Sequence, residues 1–561
     1  MLRMTFLIIG LFINQIVSQN QDPITAENGM VVSTSKHASE VGIKILKQGG
    51  NAIDAACAVG FALAVTSSSN GNIGGGGFMV TYLEDGTVFT LDYREKAPAA
   101  AYRNMYLDDS GNVIKGMSLN TRASSGVPGS VDGLLKAWEK HGSGNISLRE
   151  LLSPSISLAE RGFKLSLYEA QKLNAYKELF SKNEAAAKIF IRNDNREWEK
   201  EDRLVQKDLG KTLKRIARYG RDGFYSGKTA DLIISEMDKG LGLISYEDLI
   251  SYESKFREPV KGSFNQYEII SMGAPSSGGT ILIEMLNMLE LFPLNNFNWN
   301  SSQYIHLLTE VQRRAYADRA EHLGDSDFWE SPIDILLSKS YAINRIKDFS
   351  PNKASPSKQI FSGDLNDYEG SETTHYSVID KYGNGVSVTT TINLNYGSGI
   401  VVDGAGFFLN NEMDDFSSKP GIPNSFGLIG NEANSIEAEK RPLSSMTPTI
   451  VLKNKKPFLI LGSPGGSRII TSVLQTLLNI TIHNMSIKEA ISLPRVHSQW
   501  LPDVIYFEEN SLNDNTKRSL IENGHSLVPY NGIGNVNAIL INGNKFTGYG
   551  DPRSENTASG Y

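Results

Sequence analysis

Between Ala38 and Gln48 apolar Val41, Ile43, Ile45 and Leu46 are set among polar positions, which predicts a helix, and Gly49-Gly50 ends it. Asn51 is placed to cap a second helix from Ala52 to about Val65. Nearly all of its positions are apolar, so it should be buried on every side. A polar loop, Thr66 to Asn72, and the run Gly74-Gly75-Gly76-Gly77 follow. Phe78 to Leu83 and Thr87 to Tyr93 then alternate around Asp85-Gly86, the pattern of a β-hairpin, with Arg94 at its end. From about 100 to 350 the chain reads mostly as helices joined by short loops, including a long amphipathic stretch from Gln303 to His322. Composition turns polar around Ser355 to Tyr368 and predicts an exposed linker, 355–372, before alternation resumes at His375. No repeat of fixed period is present.

Two segments combine such a pattern with candidate chemistry. His375 to Ile379 and Val386 to Ile392 read as strands joined through Asp380-Lys381-Tyr382-Gly383-Asn384-Gly385. If Asp380 faces Asn384 across a three-residue loop, Gly383 takes the left-handed position. Counting back along the hairpin then sets Thr373 opposite Thr391, to within one residue. Two threonine hydroxyls would meet there, although cross-strand threonine pairs are also routine stabilisers of sheets. The second segment is Gly462-Ser463-Pro464-Gly465-Gly466-Ser467-Arg468, between the apolar strand Phe458 to Leu461 and a helical run from Ile469 to Leu478. Strand, glycine turn and helix start form a corner whose free N–H groups suit an anion or an oxyanion. A tight structural turn is the plainer reading of it. The Gly-Lys-Ser/Thr of a phosphate loop is missing.

Composition narrows the choices. A chain of 561 residues is long enough for more than one structural unit, and 40% hydrophobic with 21% charged residues suits a globular protein. A formal net charge of -7 gives no support to nucleic-acid binding. The 8 histidines are scattered without the spacing of a zinc helix, and Cys57 is the single cysteine, so neither a metal centre nor an internal disulfide is expected. Cys57 sits among small apolar residues and reads as buried filler. There is no GxSxG nucleophile elbow. At the start, Arg3, the apolar run Phe6 to Ile13 and small Ser18 form the pattern of a signal peptide, 1–18, too short to span a bilayer, which takes about 20 apolar residues.

Thr373-Thr374-His375-Tyr376-Ser377-Val378 after a polar linker resembles the cleavage junction of γ-glutamyltranspeptidases. The resemblance extends over nearly the whole chain. It includes Gly49 to Ala55, Gly74 to Phe78, Asp92-Tyr93-Arg94-Glu95, Pro275 to Gly279, Asn410 to Phe416, Arg441 to Met446, Gly462 to Arg468, and Asp551-Pro552-Arg553. It implies an α/β fold of the N-terminal-nucleophile hydrolase type, an αββα sandwich built jointly by a large subunit, 19–372, and a small catalytic subunit, 373–561. The precursor would cut itself between Glu372 and Thr373. Thr373 would then form an acyl-enzyme with glutathione or another γ-glutamyl compound and pass the group to water or to an amino acid or dipeptide acceptor. No cofactor is implied.

By the same resemblance, Gly465 and Gly466 supply the oxyanion hole and Thr391 bonds the nucleophile. Arg94, Ser444 and Ser445 hold the glutamyl α-carboxylate, and Asn393, Glu412 and Asp415 its α-ammonium. Pro420 to Gly430 matches a lid over the substrate. Its Phe426 replaces a tyrosine frequent in bacterial members, and Thr66-Ser67-Ser68-Ser69 stands where many relatives have His-Pro. Export to a periplasm or release is expected. Rival readings are an acylase of glutaryl or cephalosporin type, an enzyme acting on poly-γ-glutamate, and a binding protein that kept the fold without activity.

Overall fold

The computed structural model describes residues 22–194, 196–360, 373–419 and 421–561. The signal-peptide segment, most of the linker with Glu372, and the first residue of the lid lie outside the described residues.

Two seven-stranded sheets stack face to face, and every printed pairing within them is antiparallel. The first runs Thr557–Gly560, Gly29–Ser33, Thr374–Asp380, Gly385–Thr391, Gly76–Tyr82, Val88–Asp92 and Lys255–Arg257. The second runs Ile24–Ala26, Lys545–Gly550, Asn537–Asn542, Lys456–Gly462, Thr449–Lys453, Tyr267–Ser271 and Val260–Phe264. Each sheet draws strands from both sides of Thr373, in keeping with the expected αββα sandwich.

Alternation along the strands sorts side chains into layers. Tyr376 and Val378 join the cluster beneath helices Lys36–Lys47 and Ala52–Thr66, whereas Ile379 joins Ile450, Ile460 and Ile539 between the sheets. On the other outer face, Gly278–Leu289 and Arg468–Thr481 pack on the second sheet, and Ser302–His322 packs on Gly278–Leu289. Helix Ala52–Thr66 is buried along its full length, as its apolar sequence predicts, and a capping box of Asn51 and Asp54 starts it.

Two expectations are corrected. The stretch from about 100 to 350 also contains strands Lys255–Arg257, Val260–Phe264 and Tyr267–Ser271, which close the edges of both sheets. Helix Ser302–His322 is not amphipathic: every residue from Tyr304 to Ala320 is buried. Two of its charges are paired inside, Arg314 with Glu310 at 2.6 Å and Asp318 with Arg345 at 2.7 Å. The linker's first residues are anchored too. Ser357 and Ile360 are buried in a short helix, and the Ser357 hydroxyl donates to the Trp500 carbonyl at 2.6 Å.

Candidate active site

The hairpin register places the candidate nucleophile. Asp380 donates its N–H to Asn384 O at 3.2 Å, and Gly383 sits at φ +93°, so the loop has the expected geometry. Thr374 pairs with Thr390 and every following pair keeps step, which sets Thr373 opposite Thr391. Both side chains are nearly buried, at 7% and 3% exposure. The glycine run before the first hairpin explains itself here: Gly75 lies so close to the Thr391 carbonyl that a Cβ has no room. The Thr391 hydroxyl accepts from Asn393 N–H at 2.7 Å.

The glycine corner follows strand Lys456–Gly462 and opens helix Arg468–Thr481. Gly465 and Gly466 have φ +138° and +55°, backbone that favours glycine. Among the described residues neither of their N–H groups is used by a protein acceptor. A Cβ on Gly466 would run into the Phe426 ring.

Two cavities meet at Thr373. The narrow one, about 20 Å³, is lined by Thr373, Thr391, Gly466 and the predicted Arg94, Asn393, Glu412, Asp415, Ser444 and Ser445. The structure thus brings these residues of both halves of the chain together around one cavity. The sequence reasoning missed Arg319, which also lines this cavity, and Glu95 behind it. The wide cavity, about 210 Å³, lies on the Gly465 side and is lined by the serine loop at Ser67 to Ser69, Glu169, Lys172 and Glu555.

The charges of the narrow cavity are bonded to one another. Arg94 is fully buried and bonds Glu412 through one nitrogen and Asp415 through the other, with Glu95 a further 3.7 Å contact. Burial pushes Glu95 up to about 7 and raises Glu412 and Asp415 as well, while Arg94 holds all three down against it. Glu412 Oε2 and Asn393 Oδ1 are buried without a donor among the described residues. Both sit on the wall expected to receive an ammonium.

Lid residues 421–430 are tied down without a tyrosine hydroxyl. Asn424 Nδ2 donates to Asp415 Oδ1 at 3.2 Å, Ser425 N–H to Asp414 at 3.1 Å, and Gln499 Nε2 to the carbonyls of Phe426 and Gly427.

Two other groups carry no catalytic geometry. His375, next to the nucleophile strand's start, is buried between the sheets against Thr389 at 2.9 Å, and burial drives it down to about 3, so it is neutral at working pH. Cys57 is buried and burial pushes its thiol up, as expected of filler. His306, Glu310 and His525 do come together, a cluster no local spacing reveals. Glu310 is committed to Arg314 and to Ser355 N–H, and His306 bonds both His525 and Ser350 O. That donor set fits a hydrogen-bonded network and not a metal.

Comparison with known proteins shows the family. The family model described as gamma-glutamyltranspeptidase matches residues 38–561. A glutathione hydrolase proenzyme of Pseudomonas sp. (strain A14) is 44% identical, over 95% of this chain and 94% of its own. The crystal structure of Helicobacter pylori gamma-glutamyltranspeptidase is 44% identical with a TM-score of 0.58, covering 60% of this chain and 96% of that one. A cephalosporin acylase from Bacillus halodurans shares the fold, with a TM-score of 0.84 at 23% identity over 96% of this chain and 97% of its own. With the match running from the first helix to the last strand, the chain belongs to the γ-glutamyltranspeptidase family.

Proposed function

We propose that this protein is a self-processing glutathione hydrolase and γ-glutamyltransferase with Thr373 as nucleophile. The observation that carries the reading is the junction of two cavities at Thr373, beside the unused N–H groups of the glycine corner. In the precursor the Thr373 hydroxyl attacks the Glu372 carbonyl, and hydrolysis of the resulting ester separates a large subunit, 19–372, from a small one, 373–561. The α-amino group freed on Thr373 has a reference pKa of about 7.7–8.0 and serves as general base. Neutral, buried His375 leaves that task to it.

The γ-glutamyl group enters the narrow cavity. Asn393, Glu412 and Asp415 receive its ammonium, Arg94, Ser444 and Ser445 flank its carboxylate, and Gly465 and Gly466 N–H stabilise the oxyanion, with Thr391 bonding the nucleophile. The leaving peptide departs into the wide cavity, and an amino acid or dipeptide acceptor returns by the same route. Acidic Glu412 and Asp415 weigh against glutaryl amides, which have no ammonium to meet them. Among the described residues no helix is long and apolar enough to cross a membrane, and the leader pattern supports export as a periplasmic or released heterodimer.

The test is to incubate the purified protein with glutathione, with and without glycylglycine, and identify the products. Glutamate and cysteinylglycine are expected in the first case and γ-glutamyl-glycylglycine in addition in the second. Absence of all three from a protein cut before Thr373 would refute the assignment.

A further inference from the structure

Strand Thr374–Asp380 carries the chain from Thr373 to the far end of the sandwich, about 20 Å away. There four hairpin turns surround a groove of about 1130 Å³: 381–384 and 83–87 of the first sheet, 454–455 and 543–544 of the second. It is larger than both cavities at Thr373, and none of the chemistry proposed there uses it.

The groove is positive in a chain whose formal net charge is -7. Lys381, Lys453, Lys455 and Lys456 line it, against two carboxylates, Glu27 and Glu84. Among the described residues no carboxylate oxygen lies within 4 Å of any of these four ammonium groups. Lys453 instead stands over the Tyr267 and Phe458 rings, 5.7 Å from each centroid, and Lys381 lies 4.9 Å from that of Tyr382. Tyr382 is 58% exposed and Phe458 is half-buried. Asn28, Asn454, Asn542 and Asn544 also line the groove, and their amides make no side-chain bond among the described residues.

Turn chemistry explains only part of this composition. The two-residue turn Asn454-Lys455 has φ +53° and +61°, a geometry that asparagine followed by glycine suits best. Lys455 holds the glycine's place, where a Cβ makes the backbone costly. The Tyr82 hydroxyl donates to the Lys455 carbonyl at 3.0 Å and fixes the turn. A lysine kept there, between Lys453 and Lys456, serves the groove and not the turn.

We propose that this groove binds an acidic polysaccharide, with the lysines on its carboxylates, the asparagine amides on its hydroxyls, and Tyr382 and Phe458 against its sugar rings. A flat bilayer cannot follow a concave groove, and a neutral chain leaves the lysines unused. An acidic peptide engages the lysines but offers no ring face to the aromatic side chains and no row of hydroxyls to the amides. The proposal does not depend on the γ-glutamyl reading, and binding here leaves the Thr373 end of the sandwich open.

The experiment is calorimetric titration of the processed protein at low salt with oligogalacturonate, a chain of uronic acids, and with dextran and polyglutamate of matched length. Oligogalacturonate should bind saturably, dextran not at all, and polyglutamate at least about 10-fold more weakly. No binding of oligogalacturonate overturns the proposal, and so does equal binding of polyglutamate, since charge alone then accounts for it. Lys455→Gly, which suits the turn, combined with Lys456→Ala should weaken oligogalacturonate about 10- to 25-fold, each surface charge being worth about 3- to 5-fold. Tyr382→Ala should weaken it about 3- to 10-fold. Both variants should hydrolyse γ-glutamyl-p-nitroanilide as wild type does; unchanged affinity in either, with turnover intact, counts against the groove. If the double variant loses turnover, Lys381→Gln on the facing hairpin decides: a loss of affinity of about 3-fold supports the proposal, and none overturns it.

Discussion

On one side of Thr373 lies a cavity of about 20 Å³ whose charged walls are already bonded to one another; on the other lies one of about 210 Å³. In the first, Arg94, Glu412 and Asp415 form direct ion pairs. In the second, Lys172 donates to Asn70 at 3.4 Å, and Glu169, pushed up to about 7 by burial, lies near Glu555, whose charge adds to that shift. A pre-bonded wall can exchange partners only with a ligand that replaces each bond it breaks, which makes it selective. A roomy cavity accepts ligands of varied shape and gains little from any one contact. The contrast matches a reaction with one fixed acyl group and variable leaving groups and acceptors.

Thr373→Ala should abolish what both cavities share. The variant should stay a single chain and hydrolyse no γ-glutamyl amide, whereas the small chain of wild type should begin Thr373-Thr374-His375 on N-terminal sequencing. Gly466→Val acts at the boundary. Its side chain meets Phe426 and displaces the corner, and losing one oxyanion donor costs about 10²- to 10³-fold in turnover. The measurement is kcat in protein shown to be processed, since cleavage itself forms an oxyanion. Near-normal kcat would separate the corner from catalysis.

Asp415→Asn tests the selective side alone. A hydrogen bond to a charged group is worth about 1.5–3 kcal/mol, so kcat/KM on γ-glutamyl-p-nitroanilide should fall roughly 10- to 150-fold. Glutaryl-p-nitroanilide, without the ammonium, should lose far less; equal losses would mean that Asp415 only supports the lid through Asn424. Lys172→Met addresses the wide side and should have the smallest effect. An exposed-type charge contact of about 1 kcal/mol predicts a rise of about 5-fold in KM for glycylglycine, with hydrolysis of the anilide nearly unchanged. A rise in the donor's KM instead would move Lys172 out of the acceptor's path.

The sequence made one of these sides far more readable than the other. Asp380 to Gly385 has turn chemistry that sets one register, and from that register Thr373 faces Thr391. Gly465 and Gly466 stand where strand gives way to helix, so their backbone freedom has a local meaning. Arg319 had no such signal, because an arginine in a helical run reads as surface until the fold buries that helix on all sides. The strands from Lys255 to Ser271 escaped notice for a related reason. Val260–Phe264 has Lys261, Gly262 and Ser263 between its buried ends, an edge pattern too short to stand out among helices. The wide cavity is assembled from Ser67, Glu169, Gly465 and Glu555, which only long-range packing brings together.

The interleaving of strands carries a consequence for the lifetime of the mature enzyme. Strand Thr374–Asp380 is zipped on one edge to Gly29–Ser33, and Gly385–Thr391 to Gly76–Tyr82 on the other. After a cut before Thr373, neither piece can leave without tearing open both sheets, so dissociation and unfolding become one event. Refolding, which was an intramolecular process for the precursor, becomes a second-order encounter of two incomplete sheets with exposed edges. A cut there would therefore work as a ratchet: the barrier to falling apart would remain high, but the way back would be lost, and durability would be set by a rate of opening and not by an equilibrium.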